Sequence, residues 1–133
     1  MAGFMPNEGD SFVANLIFKN ITADRGTGLQ LLLFTNATVD ATTTAATLTE
    51  PTGTGYARIA LVDATWTEAN GIASYPKQTF TGGVGGWTGS VYGHAVVTTG
   101  TTPRILAIEV DPNGPYVIAE NDNYDVTLNI TVA

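Results

Sequence analysis

Tyr124, Val126, Leu128, Ile130 and Val132 are apolar, and Asp125, Thr127, Asn129 and Thr131 between them are polar. A two-residue period sustained this long is the pattern of a β-strand with one buried face and one wet face. Shorter runs of the same kind recur upstream, each closed by glycine, proline or asparagine. Leu29 to Thr35 is apolar on both faces, so it belongs in the middle of a sheet or at a subunit contact. Tyr56 to Val62 alternates, with Ala57, Ile59 and Leu61 on one side. Asn70-Gly71 is a hairpin signal, followed by short strands at Ile72 to Tyr75 and Gln78 to Thr81 on either side of Pro76.

Gly82 to Gly86 is a flexible turn, and Trp87 to Val97 reads as a longer strand. Gly89 and Gly93 within it suggest a bulge or the close approach of a large side chain. Arg104 to Val110 places Leu106, Ile108 and Val110 on one face, and Asp111 to Pro115 is a turn leading to a short strand at Tyr116 to Ala119. About eight short strands with turns between them predict an all-β fold, an antiparallel β-sandwich or jelly-roll-like barrel. The 22 threonines favour exposed sheet faces over helices.

The region before the first strand is different. Phe12, Val13, Leu16 and Ile17 fall on one helical face over residues 9–19, with Asp10 or Ser11 as a cap. The same stretch also fits an extended N-terminal arm, so residues 1–19 are read as arm or helix on a single domain spanning 1–133. Asn36 to Thr54 lacks large apolar residues and is long for a loop in a compact domain, which suggests a function or a hold from a neighbouring chain.

Composition narrows the function classes. Hydrophobic residues make up 44% of the chain and charged residues only 13%, a surface more typical of a component that lives inside an assembly. The net charge is −7 and the five basic residues are scattered, which disfavours nucleic acid and anionic membranes as partners. No cysteine is present, so disulfides, thiol catalysis and Cys-ligated zinc are excluded. The N-terminus has neither the basic nor the apolar region of a signal peptide, so the expectation is a chain folded in a cytoplasm. Three N-x-T sequons, at Asn20, Asn36 and Asn129, are then chance products of a threonine-rich sequence.

No constellation reads as catalytic or cofactor-binding. His94 is the one histidine, within a strand, and a strand histidine is the plain reading. The acids are scattered singly through turns and strand ends. Calcium is the one metal with any case, through Glu120 to Asp125 and Asp111 to Gly114, but the EF-hand spacing fails and no metal is assigned. The glycines at 82–86 are a turn, because no Lys-Ser or Lys-Thr follows to hold a phosphate. Trp66, Trp87, Tyr56, Tyr75 and Tyr92 fit a core, a carbohydrate-stacking platform or a protein contact.

Met5-Pro6-Asn7-Glu8-Gly9 ahead of an apolar segment, Leu31 to Asn36, Gly55 to Ile59 with Trp66, Gln78-Thr79-Phe80, and Val84-Gly85-Gly86 before Val91-Tyr92-Gly93 form an ordered set. In style and order it resembles small virion structural proteins of tailed bacteriophages. The resemblance implies a capsid decoration (cement) protein without catalytic residues. It would be an all-β homo-oligomer, a trimer in the favoured form, that binds the major capsid protein or another virion protein. The chain would then reside in the virion, assembled in the host cytoplasm. A tail, baseplate or fibre module that binds a receptor is the alternative. The interface candidates are Phe4, Met5, Phe12 and Leu16 in the N-terminal segment, with Trp66, Trp87 and Tyr92 and the 36–54 loop.

Overall fold

A computed structural model describes residues 3–132, so Met1, Ala2 and Ala133 at the ends of the expected domain lie outside the described residues. Among the described residues, nine strands in antiparallel pairing and one N-terminal α-helix build an all-β sandwich-like fold. Strand β1 (Leu29–Phe34) is interior to a four-stranded sheet in the order β3 (Ile59–Leu61), β1, β7 (Gly93–Thr98), β8 (Ile105–Val110). Its Leu31 to Phe34 are all buried, as the two-sided apolar run requires. A three-stranded sheet in the order β4 (Thr67–Ala69), β5 (Ile72–Thr81), β9 (Asn123–Thr131) packs over one face. The core between the sheets joins Leu31, Leu33, Leu61 and Val96 to Tyr75, Phe80, Tyr124, Val126 and Leu128. A small third pairing, β2 (Thr52–Gly53) with β6 (Trp87–Thr88), sits at one end.

The second face of the four-stranded sheet has its own core of Leu32, Phe34, Ala95, Val97, Ile105 and Ile108. Phe4, Val39, Ala45 and Leu48 pack on it, so the N-terminal segment and the 36–51 loop form a third layer. The loop that looked available to a neighbouring chain is bound to its own protomer. Asn7 N–H donates to the Ala41 carbonyl, Thr35 N–H to the Thr49 carbonyl, and the Asn36 amide bridges Thr47 and Thr49.

Of the two readings of residues 1–19, the helix stands: α1 spans Asn7–Lys19. It starts earlier than residue 9, and Pro6 rather than Asp10 or Ser11 takes the N-cap position. A proline there loses no helical hydrogen bond, and Glu8 and Asp10 in the first turn favour the helix dipole. Gly9 and Phe12 seat the helix against β8; a Cβ on Gly9 would collide with the Ile105 carbonyl. The expected apolar face is shorter than its pattern, since Ile17 is exposed. Nor is the segment ahead of the helix a free arm, because Phe4 exchanges both backbone hydrogen bonds with Ile108.

Four strand expectations are corrected. Ile72 to Thr81 is one strand, with a register slip between Tyr75 and Gln78 where Pro76 supplies no N–H. Trp87 to Val97 is two strands, because Gly89 at φ 94° breaks the run. Tyr116 to Ala119 makes a single bridge, from Tyr116 to Val91, and not a strand. In β8 a register shift between Val96 and Val97 buries Ile105 and Ile108 and leaves Leu106 out of that row. The hairpin at Asn70-Gly71 is present, with φ 54° and 79° at the two turn residues.

Candidate functional site

At one side the sandwich is open, and a crevice of about 330 Å³ runs between β8 and β9. His94 lines it beside Glu109, Leu106 and Ile108 from the β8 side and Thr127 to Thr131 from the β9 side. Strand register places His94 there: it faces Leu33 on β1 and Glu109 on β8, the side that looks toward the second sheet. Burial lowers the His94 pKa to about 4, against the opposing pull of the Asp111 charge. The imidazole is therefore neutral at pH 7. Among the described residues no side chain hydrogen-bonds to it, so nothing orients it as a base toward a nucleophile.

Glu109 is the carboxylate that lines the crevice, and among the described residues no side chain pairs with it; the carboxylates of the neighbouring turns and of β9 are engaged by local donors. Asp111 accepts the Tyr124 hydroxyl at 2.9 Å and the Asn113 N–H at 2.9 Å. Burial and that hydrogen bond push the Tyr124 phenol well above its usual range. Asp122 accepts the Ala119 N–H, Asn123 the Thr81 hydroxyl and Asp125 the Thr79 hydroxyl. Several oxygens of the two segments with a case for calcium are thus taken by local donors at the surface, and among the described residues no three His, Asp or Glu side chains converge. The strongest ion pair lies elsewhere: Arg58 clasps Glu50 through Nε and Nη2, at 3.1 and 2.8 Å. Burial raises the Glu50 pKa, but Arg58 and the Tyr56 hydroxyl outweigh it and the carboxyl ends below its usual range.

The structure scatters the interface candidates. Phe12 and Trp87 are buried, and Phe4 and Tyr92 are half-buried against the second core. Met5 and Leu16 are half-buried as well. Trp66 packs edge-on against Tyr75 with ring centroids 5.0 Å apart, and its buried indole N–H has no partner among the described residues. Tyr56 stacks on Phe80 and meets Trp87 edge-on. The aromatics are thus directed mainly into the sandwich and form no stacking platform.

Two features that sequence reading missed face outward. Ile17, Phe18 and Ile21, at and just after the end of α1, are 66%, 86% and 46% exposed. The signal for them was present: Leu16, Ile17 and Phe18 are consecutive, and one helix face cannot bury all three. The other feature is strand β9, which ends its sheet with no strand paired to its outer side among the described residues. Alternation revealed its buried face but not its place at an edge.

Comparison with protein-family models, with curated proteins and with solved structures finds no match to this chain.

Proposed function

We propose that this chain is a non-catalytic structural module that adheres to a larger protein shell, in the manner of the capsid decoration proteins its sequence resembles. The observation that carries the reading is the exposed apolar cluster of Ile17, Phe18 and Ile21 in a chain whose residues are only 13% charged. Exposed large apolar side chains grouped on one element mark a protein contact more often than a catalytic surface. Three supports converge on the same reading. The internal aromatics remove the glycan-stacking argument for a receptor-binding module. His94 is neutral and unoriented, which gives a hydrolytic mechanism nothing to start from. Arg25, Arg58, Lys77 and Arg104 each sit against a carboxylate, so their charge is already neutralised within the protomer.

The partner surface would be apolar and formed by the major capsid protein or another virion protein. Covering Ile17 and Phe18 contributes ~1.5–3 kcal/mol for each side chain before association costs. The test incubates the purified protein with undecorated heads of the phage that encodes it and reads co-sedimentation. Wild type should pellet with the heads. The Ile17→Ser/Phe18→Ser double variant should stay in the supernatant while keeping its melting temperature. Failure of the wild type to bind heads, or unchanged binding by the double variant, overturns the reading.

A further inference from the structure

The chain covers most of its own strand edges. On the outer side of β8, the Ile105 N–H donates to Glu8 Oε1 at 2.8 Å and Ile108 is bridged by Phe4. Where β3 stops short beside β1, the Tyr56 hydroxyl takes the Leu33 N–H and the Thr49 carbonyl takes that of Thr35. The free sides of β3 and β4 are short, each strand having 3 residues. The outer side of β9 is the exception: 9 residues long, with no proline, glycine or lysine, and among the described residues no strand pairs with it. Natural proteins blunt long flat edges of this kind unless they use them.

The direction of the bare groups follows from both ends of the strand. Val132 N–H donates to the Gly71 carbonyl, and Gly82 N–H donates to the Asp122 carbonyl, both across to the β5 side. Antiparallel alternation then turns the backbone of 124, 126, 128 and 130 toward β5 and that of 123, 125, 127, 129 and 131 outward. Among the described residues no hydrogen bond reaches those outward groups.

We propose that the β9 edge pairs with β9 of a second copy of this chain, antiparallel about a two-fold axis at Thr127. In that register Thr127 faces Thr127, Asp125 faces Asn129, and Asn123 faces Thr131, so every outward-turned residue meets an outward-turned residue. The chemistry of the central pair is complementary. Asn129 Oδ1 is held by the Ser74 hydroxyl at 2.9 Å, which leaves its NH₂ group for the other copy's Asp125. Asp125 Oδ1 already accepts the Thr79 hydroxyl, and its second oxygen faces Lys77 at 3.5 Å, exposed enough to accept another donor. No like charges meet, since Asp125 is the one charged residue of the strand. The crevice along Thr127 to Thr131, with Gly3 to Met5 and β8 on its other side, leaves space beside the strand for the incoming copy. A two-fold contact also covers both bare edges at once, which pairing to a 3-residue edge would not. This pairing does not depend on the chain binding a shell.

The experiment is light scattering on the eluting purified full chain over a concentration series, with hydrogen exchange of the β9 amides. Wild type should run at twice the protomer mass, with the amides of 125, 127 and 129 protected in step with dimer formation. Asn129→Asp sets two carboxylates against each other at both ends of the contact and should weaken the dimer roughly tenfold or more. Thr127→Pro removes the central outward N–H without a hydrogen bond to β5 and should give a monomer. Asn129→Asp also keeps the test decisive if the proline variant does not fold. A monomer at every concentration, a trimer of the kind the resemblance implies, or a dimer indifferent to Asn129→Asp overturns the proposal. So does protection of these amides that appears only when a different protein is added.

Discussion

The Glu8 carboxylate and the Ile105 amide, 97 residues apart in sequence, meet at 2.8 Å. The same Oε1 accepts the Ala45 N–H at 2.7 Å, and Arg104 stands 3.8 Å from Oε2. One side chain in the first turn of α1 thus ties together the helix, the covering loop and the β8 edge. Its side chain is 8% exposed, so water does not replace it when it is lost.

Glu8→Ala should therefore cost about 2–4 kcal/mol, because two amides lose their acceptor at once. Glu8→Gln keeps a carbonyl oxygen in place and should lose less than half of that. Urea denaturation of both variants checks this, and equal losses would mean that the carboxylate contributes by charge rather than as an acceptor.

Tyr56→Phe removes the hydroxyl that takes the Leu33 N–H at 3.2 Å and donates to Glu50 at 2.6 Å. That hydroxyl stands in for β3 where β3 has already ended, so its loss leaves a strand amide and a carboxylate short of a partner. The expected cost is about 1–3 kcal/mol, with the Leu33 amide exchanging faster than its neighbours on β1. Unchanged exchange at Leu33 would show that water takes the place of the hydroxyl.

The His94 pKa of about 4 in the fold, against 6.5 for the free side chain, sets a pH dependence. Between these values the unfolded chain binds a proton that the folded chain refuses. Stability thus rises with pH through this window and is lost as pH falls from 6.5 toward 4. The contribution is ~1–3 kcal/mol, the lower part reflecting solvent that enters through the crevice. His94→Gln should flatten the stability curve between pH 4 and 6.5 relative to wild type; parallel curves would place the imidazole in water.

What the sequence made legible was what side-chain period encodes. The alternation of β9, the two-sided burial of β1 and the Asn70-Gly71 hairpin follow from local pattern alone. The covering loop did not, because it contributes only Val39, Ala45 and Leu48 to the second core. It is held by polar pairs such as Asp40 with Thr42 and Thr44 with Thr47, a chemistry that reads as coil. The outward sites were obscured for a related reason: a strand's period shows its faces but never its neighbours. The N-terminal segment looked like an arm because its anchors, Ile108 and Ile105, lie a hundred residues away along the chain.

Gly93 and Gly85 separate two reasons for a glycine. At Gly93 an added Cβ would run into the Glu109 carbonyl and approach Phe34 Cζ at 2.8 Å, so this position has no room for a side chain. Gly85 has open space around it but sits at φ 83°, where only conformation resists substitution. Gly93→Ala should therefore cost ~3 kcal/mol or more, through displacement of β8 or the Phe34 ring. Gly85→Ala should cost only ~1–2 kcal/mol. Asparagine tolerates the left-handed region, so Gly85→Asn should recover part of that loss, whereas Gly93→Asn should be worse than Gly93→Ala. Melting curves of the four variants check the ordering. If asparagine were as well accepted at 93 as at 85, the close approach of Glu109 to Gly93 would not be a feature of the folded chain.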